Sequence, residues 1–222
     1  MYFSLKSDCY FRRYGSVGHI VRPVISIEEV VDENGAVFIE PLTYEPQDIN
    51  DIVNKLEDYF DGIEKNELKA DVLEFYFNLA KNGFLNYNES LEAFKNVGFE
   101  YSTLEGKLAH TDIDTQLDES SSHFLSEFFK SNPFLQTFHI ELTSKCNERC
   151  IHCYIPHENK INEINRELML NALQQCKELS VLTVIFSGGE PMLHPNFCEF
   201  LKYAKDCDFN VTVLSNLTLG HL

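Results

Sequence analysis

The sequence predicts an α/β protein in which a small α+β module precedes the first units of a parallel (β/α) barrel. In the first hundred residues, short runs of alternating apolar and polar residues are followed by amphipathic helical patterns. From Phe134 onward, apolar strands alternate with helical patterns, which implies a parallel sheet with right-handed crossovers. The chain has 222 residues, 44% of them hydrophobic, and can therefore bury a sizeable core.

The first forty residues predict β structure. Residues 2–6 alternate in polarity, residues 10–14 carry three aromatic side chains around two arginines, and residues 19–25 extend until Pro23 interrupts them. The pair Asn34-Gly35 lies between two apolar runs, 27–31 and 36–40. Because Asn-Gly tolerates the positive φ angles of a tight turn, these runs are expected to form a hairpin.

Two helices are expected next. Asp48 is the predicted N-cap of the first, and Asn66 that of the second, which should end at Gly83. Apolar residues recur at helical spacing in both, forming one stripe in each helix: Ile49, Ile52, Val53, Leu56, Phe60 and Leu68, Val72, Phe75, Tyr76, Leu79. A shorter helix is expected over residues 88–97, ending at Gly98.

A polar, acidic and serine-rich connector is expected over residues 102–132, because it has little apolar surface to bury. Residues 123–130 are apolar enough for a short helix within it. The predicted domains are therefore a first module over 1–101, this linker, and a barrel segment over 133–222.

The barrel segment shows three strands, each followed by a polar or glycine-rich loop. The expected strands cover residues 134–142, 181–186 and 209–215, with helices over 166–180 and 196–207 between them. Functional loops of parallel (β/α) barrels lie at the carboxyl ends of the strands. The three loops are therefore expected at one edge of the sheet.

The first loop carries three cysteines, Cys146, Cys150 and Cys153, at C-x3-C-x2-C spacing. Three soft thiolates on one short loop can hold three irons of a 4Fe–4S cluster, which leaves the fourth iron able to bind an exogenous ligand. A structural zinc site of three cysteines with His152 or His157 is the alternative. The other four cysteines are expected to be ordinary residues: Cys9, Cys176, Cys198 and Cys207.

The second loop is the turn Ser187-Gly188-Gly189-Glu190-Pro191, and the third is Ser215-Asn216-Leu217-Thr218. Glycines permit close backbone approach, and a carboxylate such as that of Glu190 can pair with an ammonium group. A zinc site gives no reason for such a glycine-rich turn one βα unit later.

These three motifs, in this order at consecutive strand ends, resemble those of the radical SAM (radical S-adenosylmethionine) enzymes. In that family the residue before the last cysteine is usually aromatic, and here it is His152. The resemblance implies the first part of a radical SAM partial (β/α) barrel, with the 4Fe–4S cluster held by Cys146, Cys150 and Cys153. It also implies S-adenosylmethionine bound near the later motifs, with Glu190 holding its amino group: Gly188, Gly189, Glu190, Pro191, Ser215 and Asn216. Tyr154 is expected to pack the loop, and no catalytic acid, base or radical residue is assigned.

Small strands followed by amphipathic helices describe a winged-helix-like module. Placed before a radical SAM signature, this order and the run from Asp71 to Tyr76 resemble the peptide-recognition element of enzymes that modify ribosomally made peptides. Such a module can add an extended peptide to an exposed sheet edge, and residues 36–40 beside helix 66–82 are the expected groove.

The function that the resemblance implies is that of a peptide maturase. It would bind a ribosomally made precursor peptide and modify it by hydrogen abstraction with a 5′-deoxyadenosyl radical, using electrons from reduced flavodoxin or ferredoxin. Thioether formation, epimerisation and carbon–carbon linkage stay open. The segment from residue 136 is too short for a full barrel, so the chain is expected to be a truncated form or a fragment.

Two other functions are weighed against it. The first is a non-catalytic peptide-binding or scaffold protein with a vestigial half-barrel. The second, a winged-helix DNA-binding regulator, is disfavoured by charge, because residues 1–135 carry a net charge of −14 out of −17 for the chain. With no signal peptide, no run of about 18 apolar residues and clustered free cysteines, the expected location is the cytoplasm, without nucleic-acid or membrane partners.

Overall fold

The computed structural model describes residues 1–96, 119–155 and 161–219. The chain divides into two compact units, residues 1–131 and 132–222. In the described part of the chain, no helix is both long enough and apolar enough to cross a lipid bilayer.

The described residues of the first unit form six strands in two three-stranded antiparallel sheets. One sheet has the order β5-β1-β6 and the other β2-β3-β4. The strands are β1 (Tyr2–Leu5), β2 (Tyr10–Tyr14), β3 (Val17–Arg22), β4 (Ile27–Val31), β5 (Gln47–Asp48) and β6 (Leu85–Asn88). Every residue of β3, the central strand of its sheet, is buried.

Five helices accompany these strands in the described residues of the first unit. They are α1 (Glu33–Ile39), α2 (Ile49–Leu56), α3 (Lys65–Lys81), α4 (Leu91–Asn96) and α5 (Glu119–Ser131). Most residues of the predicted apolar stripes are buried and join residues of β1, β3 and α1 in one core, whereas Phe75 and Phe60, which lies beyond the end of α2, are partly buried against it. The Tyr76 hydroxyl donates to the carbonyl of Phe38 at 2.6 Å, which satisfies its polar atom inside that core.

The predicted hairpin at Asn34-Gly35 is wrong, because this segment is the first turn of α1. Asp32 is its N-cap, and its Oδ1 accepts from the backbone N–H of Gly35 at 2.9 Å. The helix buries Ala36, Val37 and Ile39, so residues 36–40 form no strand. A capping aspartate followed by a glutamate in the first turn outweighed the local Asn-Gly turn signal.

The other predicted helix ends agree in part with the structure. Asp48 caps α2 and accepts from the N–H of Asn50 at 2.8 Å, and Gly83 follows α3 with φ at +91°. Asn66 does not cap α3, since the N-cap is Glu64 and its side chain makes no capping bond. The helix expected over 88–97 begins only at Leu91, because residues 85–88 form β6; Gly98 lies outside the described residues.

The predicted linker falls mostly on residues that the structure does not describe. Its expected helix is present as α5, which belongs to the first compact unit. The rings of Phe129 and Tyr14 meet edge to face with their centroids 5.2 Å apart, which places α5 against the sheet that contains β2.

In its described residues, the second unit forms a three-stranded parallel sheet with helices between successive strands, as predicted. Its elements are β7 (Thr137–Thr143), α6 (Arg166–Glu178), β8 (Thr183–Gly188), α7 (Phe197–Asp206) and β9 (Asn210–Val213), and the sheet order is β7-β8-β9. His139 lies opposite Ile185, and Ile185 opposite Thr212. The core forms where α6 and α7 pack on one face of the sheet, burying Leu142, Phe186, Leu173 and Phe200.

Candidate functional site

The three predicted motifs meet the carboxyl ends of the three parallel strands. The cysteine loop follows β7, the glycine turn begins at the last residue of β8, and Ser215 to Thr218 follow β9. Because the strands are parallel and adjacent, all three segments lie at the same edge of the sheet. The expected placement of the three loops at one edge of the sheet is therefore confirmed.

The cysteine loop is closed at its base by a returning segment. The N–H of Ser144 donates to the carbonyl of Asn162 at 2.9 Å, and the N–H of Ile164 donates to that of Leu142 at the same distance. Lys145 and Glu163 add an ion pair of 2.9 Å. The loop therefore leaves and rejoins the end of β7 at fixed points.

The glycine turn packs directly on the first residues of the cysteine loop. The N–H of Gly189 donates to the carbonyl of Thr143 at 2.7 Å, and that of Glu190 to the carbonyl of Lys145 at 2.9 Å. A Cβ on Gly188 or Gly189 would overlap carbonyl oxygens of this backbone, and Gly188 also has φ at +126°. In this structure, the close approach that the glycines permit is to the protein's own backbone.

Glu190 is completely buried and fully engaged by the protein. Its carboxylate accepts from the Ser215 hydroxyl at 2.9 and 3.0 Å, from the N–H of Asn216 at 2.8 Å and from the N–H of Met192 at 3.0 Å. These bonds join the end of β8 to the end of β9 and compensate the burial of a charge. The predicted pairing of Glu190 with a cofactor ammonium group stays a prediction.

The three signature cysteines lie on the surface side of the loop. Cys150 is exposed, Cys146 and Cys153 are half-buried, and none forms a disulfide. Within the described residues, no three His, Cys, Asp or Glu side chains are grouped so as to hold a single metal ion. The donor set itself fits a 4Fe–4S cluster in number, softness and placement on one loop.

The remaining cysteines have the character predicted for ordinary residues. Cys9, Cys176 and Cys207 are buried, whereas Cys198 is exposed on α7. Burial raises the pKa of Cys9 to about 12 and also raises the pKa of Cys176. Because the thiolate is the metal ligand, these two thiols are poor donors compared with a thiol in solution.

The alternative zinc site would use His152 or His157 as its fourth ligand. His152 is exposed within the loop, and His157 lies outside the described residues. Among the described residues, His152 does not complete a site for a single metal ion with the cysteines.

Sequence reasoning missed two polar pairs on the sheet face opposite α6 and α7. Tyr154 is 72% exposed and therefore does not pack the loop as predicted. Its hydroxyl donates to the Glu141 carboxylate at 2.6 Å. This bond, more than burial, raises the pKa of Tyr154 to about 12. His139 lies 2.5 Å from the Ser187 hydroxyl. The sequence carries a sign of this polar face, because polar Thr137, His139 and Glu141 alternate with apolar residues in β7. Such alternation is typical of a strand with one polar face.

The segment that carries the three motifs matches a protein family. Residues 140–221 match the model of the Radical SAM superfamily. This stretch begins in β7 and includes the cysteine loop, the glycine turn and the end of β9.

Individual relatives align with part of the chain. The antilisterial bacteriocin subtilosin biosynthesis protein AlbA of Bacillus subtilis is 33% identical over 107 residues, which are 47% of this chain and 24% of AlbA. The PqqA peptide cyclase of Gluconobacter oxydans is 40% identical over 67 residues, 29% of this chain and 19% of the cyclase. The chain thus spans about a quarter or less of the length of these curated relatives.

A solved structure resembles nearly the whole chain. It is Streptococcus suis SuiB bound to the precursor peptide SuiA, with a TM-score of 0.55 and 16% identity, covering 97% of this chain and 43% of SuiB. At this identity the likeness shows a shared fold. It extends over both compact units, including the first, which lies outside the family match.

Proposed function

We propose that the chain is part of a peptide maturase of the radical SAM superfamily, whose model matches residues 140–221. It would bind a ribosomally made precursor peptide through its first unit and modify it through a cluster held by its second. The family implies a 4Fe–4S cluster and S-adenosylmethionine as cofactors. Analysis of the modified peptide would distinguish thioether formation, epimerisation and carbon–carbon linkage.

The observation that carries this proposal is the convergence of three motifs at one sheet edge. The cysteine loop, the glycine turn and the end of β9 are tied to one another by hydrogen bonds from Gly189, Glu190, Ser215 and Asn216. A metal-binding loop beside a preorganised, glycine-rich turn provides the parts needed to hold a cluster and a small cofactor side by side.

The candidate site residues would have two separate roles, cluster binding and cofactor positioning. Cys146, Cys150 and Cys153 would hold the cluster. The turn Gly188 to Pro191, with Ser215 and Asn216, would position the methionine end of S-adenosylmethionine. When bound, the two cofactors supply hydrogen-atom abstraction from the peptide; the protein supplies position and exclusion of water.

We place the peptide on β4, the outer strand of the β2-β3-β4 sheet. Residues 36–40 lie in α1 and its C-cap and offer no strand edge there, whereas β4 pairs with a strand on only one side in the described structure. The end of α3 lies beside β4, because Asn82 donates to Glu29 at 3.0 Å. An extended peptide can add to such an edge through main-chain bonds, with the neighbouring helix providing side-chain contacts.

Hydrogen exchange tests the docking edge. Addition of the precursor peptide to the full chain should slow exchange of the outward-facing amides of β4. Amides of β2, the opposite edge of the same sheet, serve as the internal control and should not change. Protection of β2 instead of β4, or of neither at micromolar peptide, would refute this placement.

The enzymatic proposal is tested by anaerobic reconstitution with iron and sulfide, followed by reduction in the presence of S-adenosylmethionine. We expect 5′-deoxyadenosine to form, and its rate to rise with the precursor peptide. Reduced flavodoxin or ferredoxin should replace dithionite as the electron donor, consistent with the cytoplasmic location that we propose. Absence of the nucleoside from material that contains a cluster would contradict the proposal for this chain.

One observation favours the non-catalytic alternative. The Glu190 carboxylate, which the enzymatic account assigns to the cofactor, already accepts hydrogen bonds from Ser215 and Asn216. A peptide-binding scaffold would not need this carboxylate for chemistry. Peptide binding with unchanged affinity in the Cys146→Ala variant, together with no cluster in the unmodified chain, would support the scaffold.

A further inference from the structure

We infer that Asn147 clamps the cysteine loop to the end of β9 and is a positioning residue for the cluster. Asn147 directly follows the first signature cysteine. The inference rests on the proposed function, because it assigns a role in holding the cluster to a residue that carries no metal-binding group.

The side-chain amide of Asn147 uses both of its ends. Its Nδ2 donates to Thr218 Oγ1 at 2.6 Å, and its Oδ1 accepts from Asn216 Nδ2 at 2.9 Å. Asn216 and Thr218 are in turn bonded to each other, since the Thr218 hydroxyl and N–H both donate to Asn216 Oδ1, at 2.7 and 3.0 Å. The partner of Asn147 is therefore a preorganised pair with a matching donor and acceptor.

These bonds close a ring of contacts around the backbone of Cys146. On one side of Cys146, the carbonyl of Lys145 accepts from the N–H of Glu190 at 2.9 Å. The Glu190 carboxylate accepts from the N–H of Asn216 at 2.8 Å, and the Asn216 side chain returns to Asn147 on the other side of Cys146. Lys145 is thereby attached to the end of β8 and Asn147 to the end of β9, and the Glu190 carboxylate joins these two strand ends.

The rest of the loop is held differently. Residues 148–152 are exposed, and Cys150 lies in their middle. Both neighbours of Cys146 are hydrogen-bonded to strand ends, whereas the residues around Cys150 are exposed. Cys146 would therefore set the position of a bound cluster relative to the sheet. Outer groups that orient metal ligands commonly change metal affinity by about 10- to 100-fold when they are removed.

The clamp is exposed, which makes it possible to test without unfolding the protein. Asn147, Asn216 and Thr218 are all on the surface. Removal of one or two surface hydrogen bonds is expected to leave the thermal midpoint nearly unchanged. The variants are Asn147→Ala, Thr218→Val and Asn147→Asp, the last of which keeps the acceptor for Asn216 but loses the donor to Thr218.

The first readout needs no cluster. Arg149 is exposed within the loop and offers a trypsin site. Under native conditions, cleavage after Arg149 should be about five- to ten-fold faster in Asn147→Ala and Thr218→Val than in the unmodified chain, because the loop opens more often. Asn171→Ala, on the exposed face of α6, is the matched control and should cleave at the original rate.

The second readout is cluster retention. After anaerobic reconstitution of the full chain, iron should pass to a chelator about ten-fold faster or more in Asn147→Ala than in Asn171→Ala, with Asn147→Asp between them. The resonance of the reduced cluster should also broaden in Asn147→Ala. A residue with a purely structural role in the fold would not change either quantity at equal thermal midpoint.

The two readouts separate failure of the inference from failure of the proposed function. If the unmodified chain holds a cluster, and Asn147→Ala matches it in cleavage and in iron release, the clamp is refuted while the function stands. If the unmodified chain takes up no cluster, the function fails and with it the positioning role. Cleavage after Arg149 then still decides whether Asn147 anchors the loop.

Discussion

At the scale of single residues, Glu190 shows how a functional motif can be built on structural contacts. The sequence suggested a carboxylate aimed at a cofactor, but the structure buries it completely among donors from Met192, Ser215 and Asn216. Ser215 and Asn216 were predicted near the same site, and the structure explains their proximity, since both bind Glu190.

Replacement of Glu190 by Gln tests this structural role. The variant keeps the shape but removes the charge and turns one acceptor into a donor facing other donors. We expect the cofactor-free chain to lose about 1.5–3 kcal/mol of unfolding free energy, measured by denaturant titration. Glu89→Gln, at an exposed position, is the control. Equal stability of Glu190→Gln and the unmodified chain would contradict this structural role.

Gly189 supports a second prediction at this scale. A Cβ there would lie 2.6 Å from the carbonyl oxygen of Ser144 and closer still to that of Lys145, and these are backbone atoms that cannot turn aside. Gly189→Ala should therefore cost about 3 kcal/mol or more of unfolding free energy. Gly62→Ala is the control, because its φ of +83° adds strain of about 1–2 kcal/mol while its Cβ would meet nothing within 4 Å. A smaller loss for Gly189→Ala than for Gly62→Ala would contradict the packing argument.

At the scale of elements, the errors of prediction came from competing local signals. Asn34-Gly35 has the composition of a hairpin turn, yet Asp32 caps a helix whose residues Ala36, Val37 and Ile39 enter the core. Tertiary burial decided between two short-range patterns of similar strength. The long amphipathic stripes of α2 and α3 had no such competitor and were predicted correctly.

Strand β3 carries a buried titratable group whose behaviour can be predicted. His19 is 4% exposed; its Nε2 lies 2.9 Å from Glu28, and its Nδ1 has no partner among the described residues. Its cross-strand neighbour on β2 is Arg12. Burial lowers the pKa of His19, although the bond and charge of Glu28 oppose the shift.

The sign of the pH effect follows from this lowered pKa. Above the ordinary histidine pKa of 6.5, His19 is neutral in both states and its stabilising contribution is complete. As the pH falls below that value, the unfolded chain binds the proton first and stability is lost. The thermal midpoint of the first unit should therefore drop on acidification, and less steeply in His19→Gln. Parallel pH profiles for the two proteins would contradict this assignment.

At the scale of the whole molecule, the sequence predicted the order of strands and the edge that carries the motifs. This was possible because apolar runs, short loops and the parallel crossover rule are encoded locally. The contacts that assemble the site were not predictable in this way. Asn147 and Asn216 are 69 positions apart, and nothing in the spacing of either indicates that their amides meet.

A bound cluster is expected to change hydrogen exchange in only one of the two compact units. Since the signature cysteines all lie in the second compact unit, a bound cluster should slow hydrogen exchange in residues 132–222. Exchange in residues 1–131 should be unchanged by reconstitution and by later removal of iron with a chelator. Equal protection of both units would contradict a cluster confined to the second.

The most direct test of the account is the metal content and spectrum of the chain after oxygen-free reconstitution. The account predicts about four irons and about four sulfides per chain, and a reduced-state electron paramagnetic resonance signal that shifts when S-adenosylmethionine is added. Replacement of Cys146, Cys150 or Cys153 by Ala should abolish it, whereas Cys198→Ala should not. Zinc bound by the same cysteines, or a cluster signal indifferent to S-adenosylmethionine, would contradict the account.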